Sequence, residues 1–212
     1  KGKGNMNNNL TEIVFILDRS GSMGGLTDDT IGGYNAFIES QKNEPGDAVL
    51  TTVLFDHEYT VLHNGVNLKD VKPMTYAEYM PRGMTALYDA IGKTINDVGR
   101  RLNNTPEAER PGKVIFVITT DGYENASKEF TQQQVKEMIE HQTDKYSWQF
   151  MFLGANIDVQ EVSCNLGISA DFAASYTASE NGVESVYSTM SKTVAGYRDT
   201  GAVSMNWMDS LV

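Results

Sequence analysis

Two continuous apolar runs, each ending at an aspartate, constrain the fold of this chain more than any other feature of its sequence. The first is VFILD, residues 14–18, and the second is VIFVITTD, residues 114–121. Continuous runs of this kind fill strands that are covered on both faces, which is typical of parallel sheets. The sequence therefore predicts two central strands that end in similar polar turns.

Helical and strand patterns alternate along the rest of the chain. The predicted elements are helices starting at 27 and over 85–102, 131–142, 158–167 and 182–198, with strands over 47–56, 59–68, 147–156 and 170–176. This alternation predicts an α/β fold with a doubly wound, mostly parallel central sheet and helices on both faces. The short turn after residue 56 predicts a hairpin, so that one edge strand is antiparallel.

The first predicted helix carries two local signals. Thr27, followed by Asp28 and Asp29, offers a capping hydroxyl and two acids for the first turn. Gly32 and Gly33 each cost about 1 kcal/mol of helix propensity. Their presence predicts that this helix closely approaches the sheet at that point.

Length and composition favour a single domain. The chain has 212 residues, of which 40% are hydrophobic, and this is enough for one substantial core. We expect a disordered or tag-derived tail at 1–9, the domain at 10–200 and a C-terminal tail at 201–212.

Charge and cysteine content limit the cellular compartment and the classes of partner that are expected. The net charge of −11 argues against a nucleic-acid or anionic-membrane surface, because both require clustered positive charge. No apolar run reaches the roughly 20 residues of a membrane span. The single cysteine, Cys164, can form no internal disulfide and is expected to be buried. The sequence therefore predicts a cytoplasmic protein.

Polar side chains alternate directly after the first central strand. Asp18, Ser20 and Ser22 offer oxygen atoms, and Asp121 follows the second central strand. The carboxyl ends of neighbouring parallel strands meet at one edge of a sheet, where two carboxylates would repel each other. A divalent cation between them would remove this repulsion. Because only oxygen ligands are offered, Mg²⁺ or Mn²⁺ with about six ligands is the expected ion.

A third loop is expected at the same edge. In the segment PRGMTALYDA, residues 81–90, Gly83 frees the backbone and Thr85 offers a hydroxyl where a helix begins. A plain capped turn after the first strand would account for neither Thr85 nor Asp121. The candidate metal ligands are therefore Asp18, Ser20, Ser22, Thr85 and Asp121.

Three segments of the chain together resemble the von Willebrand factor type A (vWA) domain with its metal-ion-dependent adhesion site (MIDAS). They are DRSGSM at 18–23, GMTAL at 83–87 and TDG at 120–122, in the order and at separations similar to those of the family. The resemblance covers residues 10–200 and implies a Rossmann-like fold.

The resemblance also assigns roles to the candidate ligands. It implies that Ser20 and Ser22 bind the metal directly, and that Asp18, Asp121 and Thr85 bind directly or through water. One coordination position would stay open for an aspartate or glutamate of a partner protein. The domain would then be a metal-dependent protein-interaction module and not an enzyme, similar to compact intracellular bacterial members of the family.

Residues beside the Thr85 loop are candidates for contact with the partner. Tyr79 and Arg82 are the proposed partner-binding residues, in a segment that also contains Tyr76, Met80 and Pro81. Packing of this segment in the core or within the loop is an equally good interpretation.

Other polar residues are given structural roles. Glu124 and Asn125 are expected to solvate or cap a loop and not to bind the metal. The basic group that contains Arg101 is interpreted as a solvated helix end. The three histidines lack the spacing of zinc ligands.

Two alternative functions stay open. Carboxylates and a cation at a strand end also suit an Mg²⁺-dependent hydrolase or phosphotransfer enzyme, although the sequence contains no phosphate-binding G-x-x-x-x-G-K-[ST] loop and no evident general base. The second alternative is an ion that ties the loops together without binding any partner.

Overall fold

The computed structural model describes residues 6–211. Its centre is a six-stranded sheet in the order β3-β2-β1-β4-β5-β6, in which β3 is antiparallel to β2 and the other neighbours are parallel. The strands are β1 (Asn7–Asp18), β2 (Asp47–Phe55), β3 (Tyr59–Asn67), β4 (Pro111–Thr120), β5 (Gln149–Gly154) and β6 (Ala173–Ser175). The predicted fold class and the predicted hairpin at the sheet edge are confirmed.

Helices cover both faces of the sheet. They are α1 (Thr27–Lys42), α2 (Leu87–Asn104), α3 (Gln132–Tyr146), α4 (Val159–Asn165) and α5 (Glu180–Thr200). Side chains of β1 alternate between two cores: Phe15 packs with α1 and α5, and Ile16 packs with α2 and α3. Both are fully buried, which explains the continuous apolar run in this strand.

The ends of the chain differ from the predicted tails. β1 begins at Asn7, whose amide donates to the Arg110 carbonyl at 2.9 Å, so residues 7–9 belong to the sheet. Residues 1–5 of the predicted tail lie outside the described residues. Near the other end, Val203 and Trp207 are buried, and Trp207 Nε1 donates to the Asp171 carbonyl at 2.8 Å. The segment after α5 therefore packs against the domain.

The start of α1 also differs from the prediction. A 3-10 helix over residues 21–26 precedes α1. The N-cap residue of α1 is therefore Leu26, which makes no side-chain capping hydrogen bond. The hydroxyl of Thr27 instead donates backwards to the Gly24 carbonyl at 3.0 Å. Thr27 thus stabilises the turn between the two helices.

Two further predictions are wrong in the structure. Cys164 is exposed, because it faces outward from the short helix α4. Arg101 is not a solvated helix end: its Nη1 donates to Oε2 of Glu12 at 3.1 Å, and Glu12 is fully buried in β1. The partner lies 89 residues away in sequence, so the sequence pattern of α2 alone does not indicate this ion pair.

Among residues 6–211, no helix combines the length and the apolar character that crossing a membrane requires.

Candidate metal centre

The central strands β1 and β4 lie side by side, as the sequence predicts. They are parallel, and Leu17 pairs with Thr119 near their carboxyl ends. Asp18 is the last residue of β1, and Asp121 directly follows β4. The strand order therefore places both aspartates at one edge of the sheet, at the point where the chain leaves it in two loops.

Asp18 organises the backbone of both loops. Its Oδ1 accepts a hydrogen bond from the Ser20 amide at 2.7 Å. Its Oδ2 accepts from Thr120 Oγ1 at 2.7 Å and from the Asp121 amide at 3.4 Å. The carboxylate thus fixes the turn that carries the serines and connects this turn to the end of β4.

The two serine hydroxyls lie next to each other and next to Asp121. Ser20 Oγ is 3.1 Å from Ser22 Oγ, and Ser22 Oγ donates to Asp121 Oδ1 at 2.6 Å. Side chains that are 99 residues apart in sequence are therefore joined at this point by one hydrogen bond.

Thr85 reaches the same place from the loop between β3 and α2. Its amide donates to Asn125 Oδ1 at 2.8 Å, and its carbonyl accepts from the Asn125 amide at 2.9 Å. A methyl group placed on Gly122 would lie 3.8 Å from Thr85 Oγ1 and 3.9 Å from Ser22 Oγ. Gly122 therefore lies next to both hydroxyls, which brings Thr85 close to the serine turn.

Burial affects the ionisation of both aspartates. Asp18 is 0% exposed and Asp121 is 4% exposed. Burial raises the pKa of the Asp18 carboxyl, and the charge of Asp121 raises it further, while hydrogen bonds from Ser20 and Thr120 lower it. Burial also raises the pKa of Asp121. In the folded protein, two negative charges at this edge are unfavourable unless a cation compensates for them.

The residues present fit a hard divalent cation. The five candidate ligands bring two carboxylates and three hydroxyls to one edge, and no nitrogen or sulfur ligand. Neighbouring ligands of an ion with Mg–O distances of about 2.1 Å lie about 3 Å apart in an octahedron. The spacing of 3.1 Å between the Ser20 and Ser22 hydroxyls agrees with this value, whereas Ser22 and Asp121, at 2.6 Å, are joined by a short hydrogen bond.

Among residues 6–211, at the candidate centre as elsewhere, no group of three or more His, Cys, Asp or Glu side chains is placed to hold a metal. The candidate centre does not depend on such a group, because three of its five proposed ligands are hydroxyls. Its proposed ligands keep the status of predictions.

Glu124 and Asn125 stabilise the loops around the centre, as the sequence predicts. Glu124 accepts hydrogen bonds from the Tyr88 amide at 3.0 Å and from the Ser127 hydroxyl at 2.7 Å, so it caps the first turn of α2. Together with Asn125, it joins the loop after β4 to the start of α2. Asp89 adds a contact that was not predicted from the sequence, since its carboxylate accepts from the amides of 128, 129 and 130.

The two proposed partner-binding residues differ in position. Tyr79 is fully buried, and its hydroxyl donates to the Asp18 carbonyl at 2.7 Å, so it supports the centre from below and cannot contact a partner. Arg82 is at the surface, with half of its side chain exposed. Three large hydrophobic side chains in the loops that carry Thr85 and Asp121 are also exposed, namely Met80, Met84 and Tyr123. Tyr76 is exposed as well, and its hydroxyl donates to Asp28 at the start of α1.

Comparison with known proteins links this geometry to one fold. No protein-family model matches the sequence, and no curated protein matches it. Solved structures do match. The vWF domain of the type V pili tip protein Mfa5 from Porphyromonas gingivalis has a TM-score of 0.60 at 10% identity, over 92% of this chain and 98% of that one.

Two other matching structures contain metals according to their descriptions. Proximal thread matrix protein 1 from the mussel byssus, with a zinc-occupied MIDAS motif, has a TM-score of 0.60 at 15% identity, over 87% of this chain and 46% of its own. Manganese-loaded TRAP protein from Plasmodium vivax has a TM-score of 0.54 at 17% identity, over 84% of this chain and 71% of its own. This chain thus spans less than half of the mussel protein. At these identities, the comparison shows that the chain has the fold of vWA domains.

Proposed function

From the vWA fold and the oxygen-lined edge of the sheet, we propose that this chain is a metal-dependent protein-interaction module. The ligands would be Asp18, Ser20, Ser22, Thr85 and Asp121, and the ion would be Mg²⁺ or Mn²⁺. The observation that carries the proposal is the convergence of two buried carboxylates and the serine hydroxyls at hydrogen-bond distance.

Each part of the site has a separate task. Asp18 holds the serine turn against β4, and Asn125 holds the Thr85 backbone at the opposite side. When bound, the cation would compensate the charges of the aspartates and offer a coordination position to a carboxylate oxygen of the partner. Ser22 is exposed whereas Asp18 is buried, so a partner would approach from the side of Ser22.

The surroundings of the centre favour a protein partner. Met80 and Met84 are 65% and 54% exposed, and Tyr123 is 55% exposed. Such exposed apolar side chains mark interaction surfaces, and methionine adapts its shape to different partners. Because the chain has a net charge of −11, these uncharged side chains also add no further repulsion of an acidic partner near the cation.

Matching structures with bound zinc and manganese support the choice of a divalent cation. The non-enzymatic role, the cytoplasmic location and the intracellular bacterial type stay predictions from the sequence. The hydrolase alternative predicts Mg²⁺-dependent turnover of a phosphate ester such as p-nitrophenyl phosphate, whereas the interaction module predicts none.

Calorimetric titration of Mg²⁺ and Mn²⁺ into EDTA-stripped protein tests the centre. Saturable binding is expected for the native protein and for Ser188→Ala, which removes an exposed hydroxyl on α5. Asp18→Ala and Thr85→Ala should weaken binding strongly. Equal binding by all four proteins, or no binding at millimolar metal, would contradict the proposal.

Selection of peptides from a random display library tests the partner chemistry. Peptides retained in Mg²⁺ and released by EDTA should be enriched in aspartate or glutamate. Retention that EDTA does not change would mean that the ion, where it binds, has only a structural role.

A further inference from the structure

A third buried carboxylate lies at the edge that carries the candidate metal centre. Asp56 directly follows β2, whose last residue, Phe55, pairs with Asp18 of β1. Asp56 is 0% exposed. It is not among the proposed ligands, and from the sequence it is only one residue of a hairpin turn.

The oxygens of Asp56 are taken up by protein groups. Oδ2 accepts from Arg19 Nε at 3.1 Å and from Arg82 Nε at 3.1 Å. Oδ1 accepts from the Glu58 amide at 2.7 Å and lies 3.3 Å from His57 Nδ1. Because two guanidinium groups and a backbone amide already satisfy this carboxylate, it does not need a metal ion to compensate its charge.

The two arginines belong to two of the three loops that supply the ligands. Arg19 lies between Asp18 and Ser20, and Arg82 lies three residues before Thr85. One carboxylate therefore holds both loops. The Asp56 carbonyl adds a third connection, since it accepts from the Ala86 amide, next to Thr85, at 2.9 Å.

Backbone contacts between the loops continue this connection. The Arg82 amide donates to the Arg19 carbonyl at 2.9 Å, and the Gly21 amide donates to the Gly83 carbonyl at 3.1 Å. Gly83 has φ +66°, and a methyl group there would lie 2.0 Å from His57 Nδ1. The loop that carries Thr85 thus lies across the serine turn in one defined position.

Each of the three guanidinium nitrogens of Arg19 donates a hydrogen bond. Its Nη1 donates to the Glu78 carbonyl at 3.2 Å and its Nη2 to Thr60 Oγ1 at 3.1 Å. The side chain therefore extends towards β3 and Asp56, while the flanking Asp18 bonds towards β4. Arg82 is different, because half of its side chain is exposed and it also pairs with Glu58.

We propose that Asp56 is a positioning residue of the metal centre, which sets the distance between Thr85 and the serine turn by binding Arg19 and Arg82 with one carboxylate. This inference rests on the proposed function. It also gives Arg82 a second role, because a partner that contacts its exposed side chain would change the position of the loop that carries the ligand Thr85.

Asp56→Asn and Arg82→Ala test the proposal, with Glu12→Gln as the matched control. Glu12 is an equally buried carboxylate of β1 that pairs with one arginine, Arg101 of α2, away from the centre. Manganese affinity should fall about tenfold or more in Asp56→Asn and Arg82→Ala, with partial recovery in Arg82→Lys. In Glu12→Gln, the melting temperature should fall while manganese affinity stays within about twofold of the native protein.

Amide hydrogen exchange of the EDTA-stripped proteins gives a readout that does not require metal. Exchange at the amides of Gly21, Arg82 and Ala86 should be faster in Asp56→Asn and Arg82→Ala and unchanged in Glu12→Gln. Unchanged exchange and unchanged manganese affinity in Arg82→Ala would overturn the inference. A native protein that binds no manganese would instead overturn the proposed function, while the exchange result would still decide whether Asp56 connects the loops.

Discussion

Gly33 of α1 lies directly against the aromatic ring of Tyr187 in α5, so that a methyl group on Gly33 would be 2.3 Å from Cδ2 of that ring. Tyr187 also stacks with Phe15 of β1, at a centroid distance of 6.1 Å. The glycine therefore sets how closely α1 and α5 pack on the sheet. The sequence predicts a close approach of α1 to the sheet at Gly32 and Gly33, but the close approach is to another helix and involves Gly33 alone.

Gly33→Ala should lower the free energy of unfolding by about 1–3 kcal/mol, because the methyl group would displace the Tyr187 ring. Gly32→Ala is the matched control. Gly32 is exposed in the same helix and has no atom within 4 Å of an added methyl group, so alanine should raise the stability by about 0.5–1 kcal/mol. Urea denaturation of both variants measures the difference. Equal changes in the two variants would contradict the close packing of α1 on α5.

Tyr187→Phe should leave the stability unchanged or raise it by about 1 kcal/mol. Within the described part of the chain, its buried hydroxyl has no hydrogen-bond partner, so its desolvation is uncompensated. Tyr34→Phe should instead destabilise by about 1 kcal/mol, because the Tyr34 hydroxyl lies 2.7 Å from Thr52 Oγ1. Thermal unfolding of the two variants gives the comparison. A larger loss of stability in Tyr187→Phe than in Tyr34→Phe would show that the Tyr187 hydroxyl is hydrogen-bonded in solution.

Asp18→Asn should remove most of the metal response without destabilising the metal-free protein at neutral pH. The raised pKa of Asp18 means that its ionised form is unfavourable in the folded state when no cation is present. An uncharged amide of the same size removes this charge. Its oxygen can still accept from the Ser20 amide, and its NH2 group can donate to Thr120 Oγ1 while that hydroxyl donates to the Gly122 carbonyl, so the variant should fold about as well as the native protein. Melting temperatures with EDTA and with Mg²⁺ measure both effects. A large loss of stability in EDTA together with an unchanged Mg²⁺ shift would contradict the assignment.

Met80→Ser and Met84→Ser should weaken the binding of peptides selected on the Mg²⁺-loaded protein by about tenfold, because an apolar contact beside the bound carboxylate is lost. Met205→Ser is the control, since Met205 is also exposed but belongs to the segment after α5. Manganese affinity should stay unchanged in all three variants. Titration of one selected peptide checks this prediction. Equal peptide affinities would mean that the partner does not contact the methionines.

Local sequence patterns predict most of this fold. The run at residues 14–17 predicts β1 because only a strand covered on both faces buries every side chain of such a run. Alternation of strands and helices predicts a mostly parallel sheet, and Asp18 and Asp121 then lie at one edge if the two central strands are neighbours, as the structure shows them to be. The candidate site was therefore accessible from residue types and spacing.

Features that depend on the direction of a side chain were not accessible in this way. For Tyr79 the sequence leaves partner contact and core packing equally open, and the structure places it in the core, where its hydroxyl bonds the Asp18 carbonyl. Asp56 looks like a turn residue in sequence but binds two arginines. Residues such as these meet partners 26 to 61 positions away.

The sequence by itself determined the fold class, the strand ends and the oxygen-bearing residues of the candidate centre, because periodicity and polar turns are local properties of the chain. Only the tertiary structure decided which residues hold these loops in register and which face a partner. The physical reason is that burial, ion pairing and close packing depend on atoms that distant segments bring together, as Asp56 does for Arg19 and Arg82 and as Gly33 does for Tyr187.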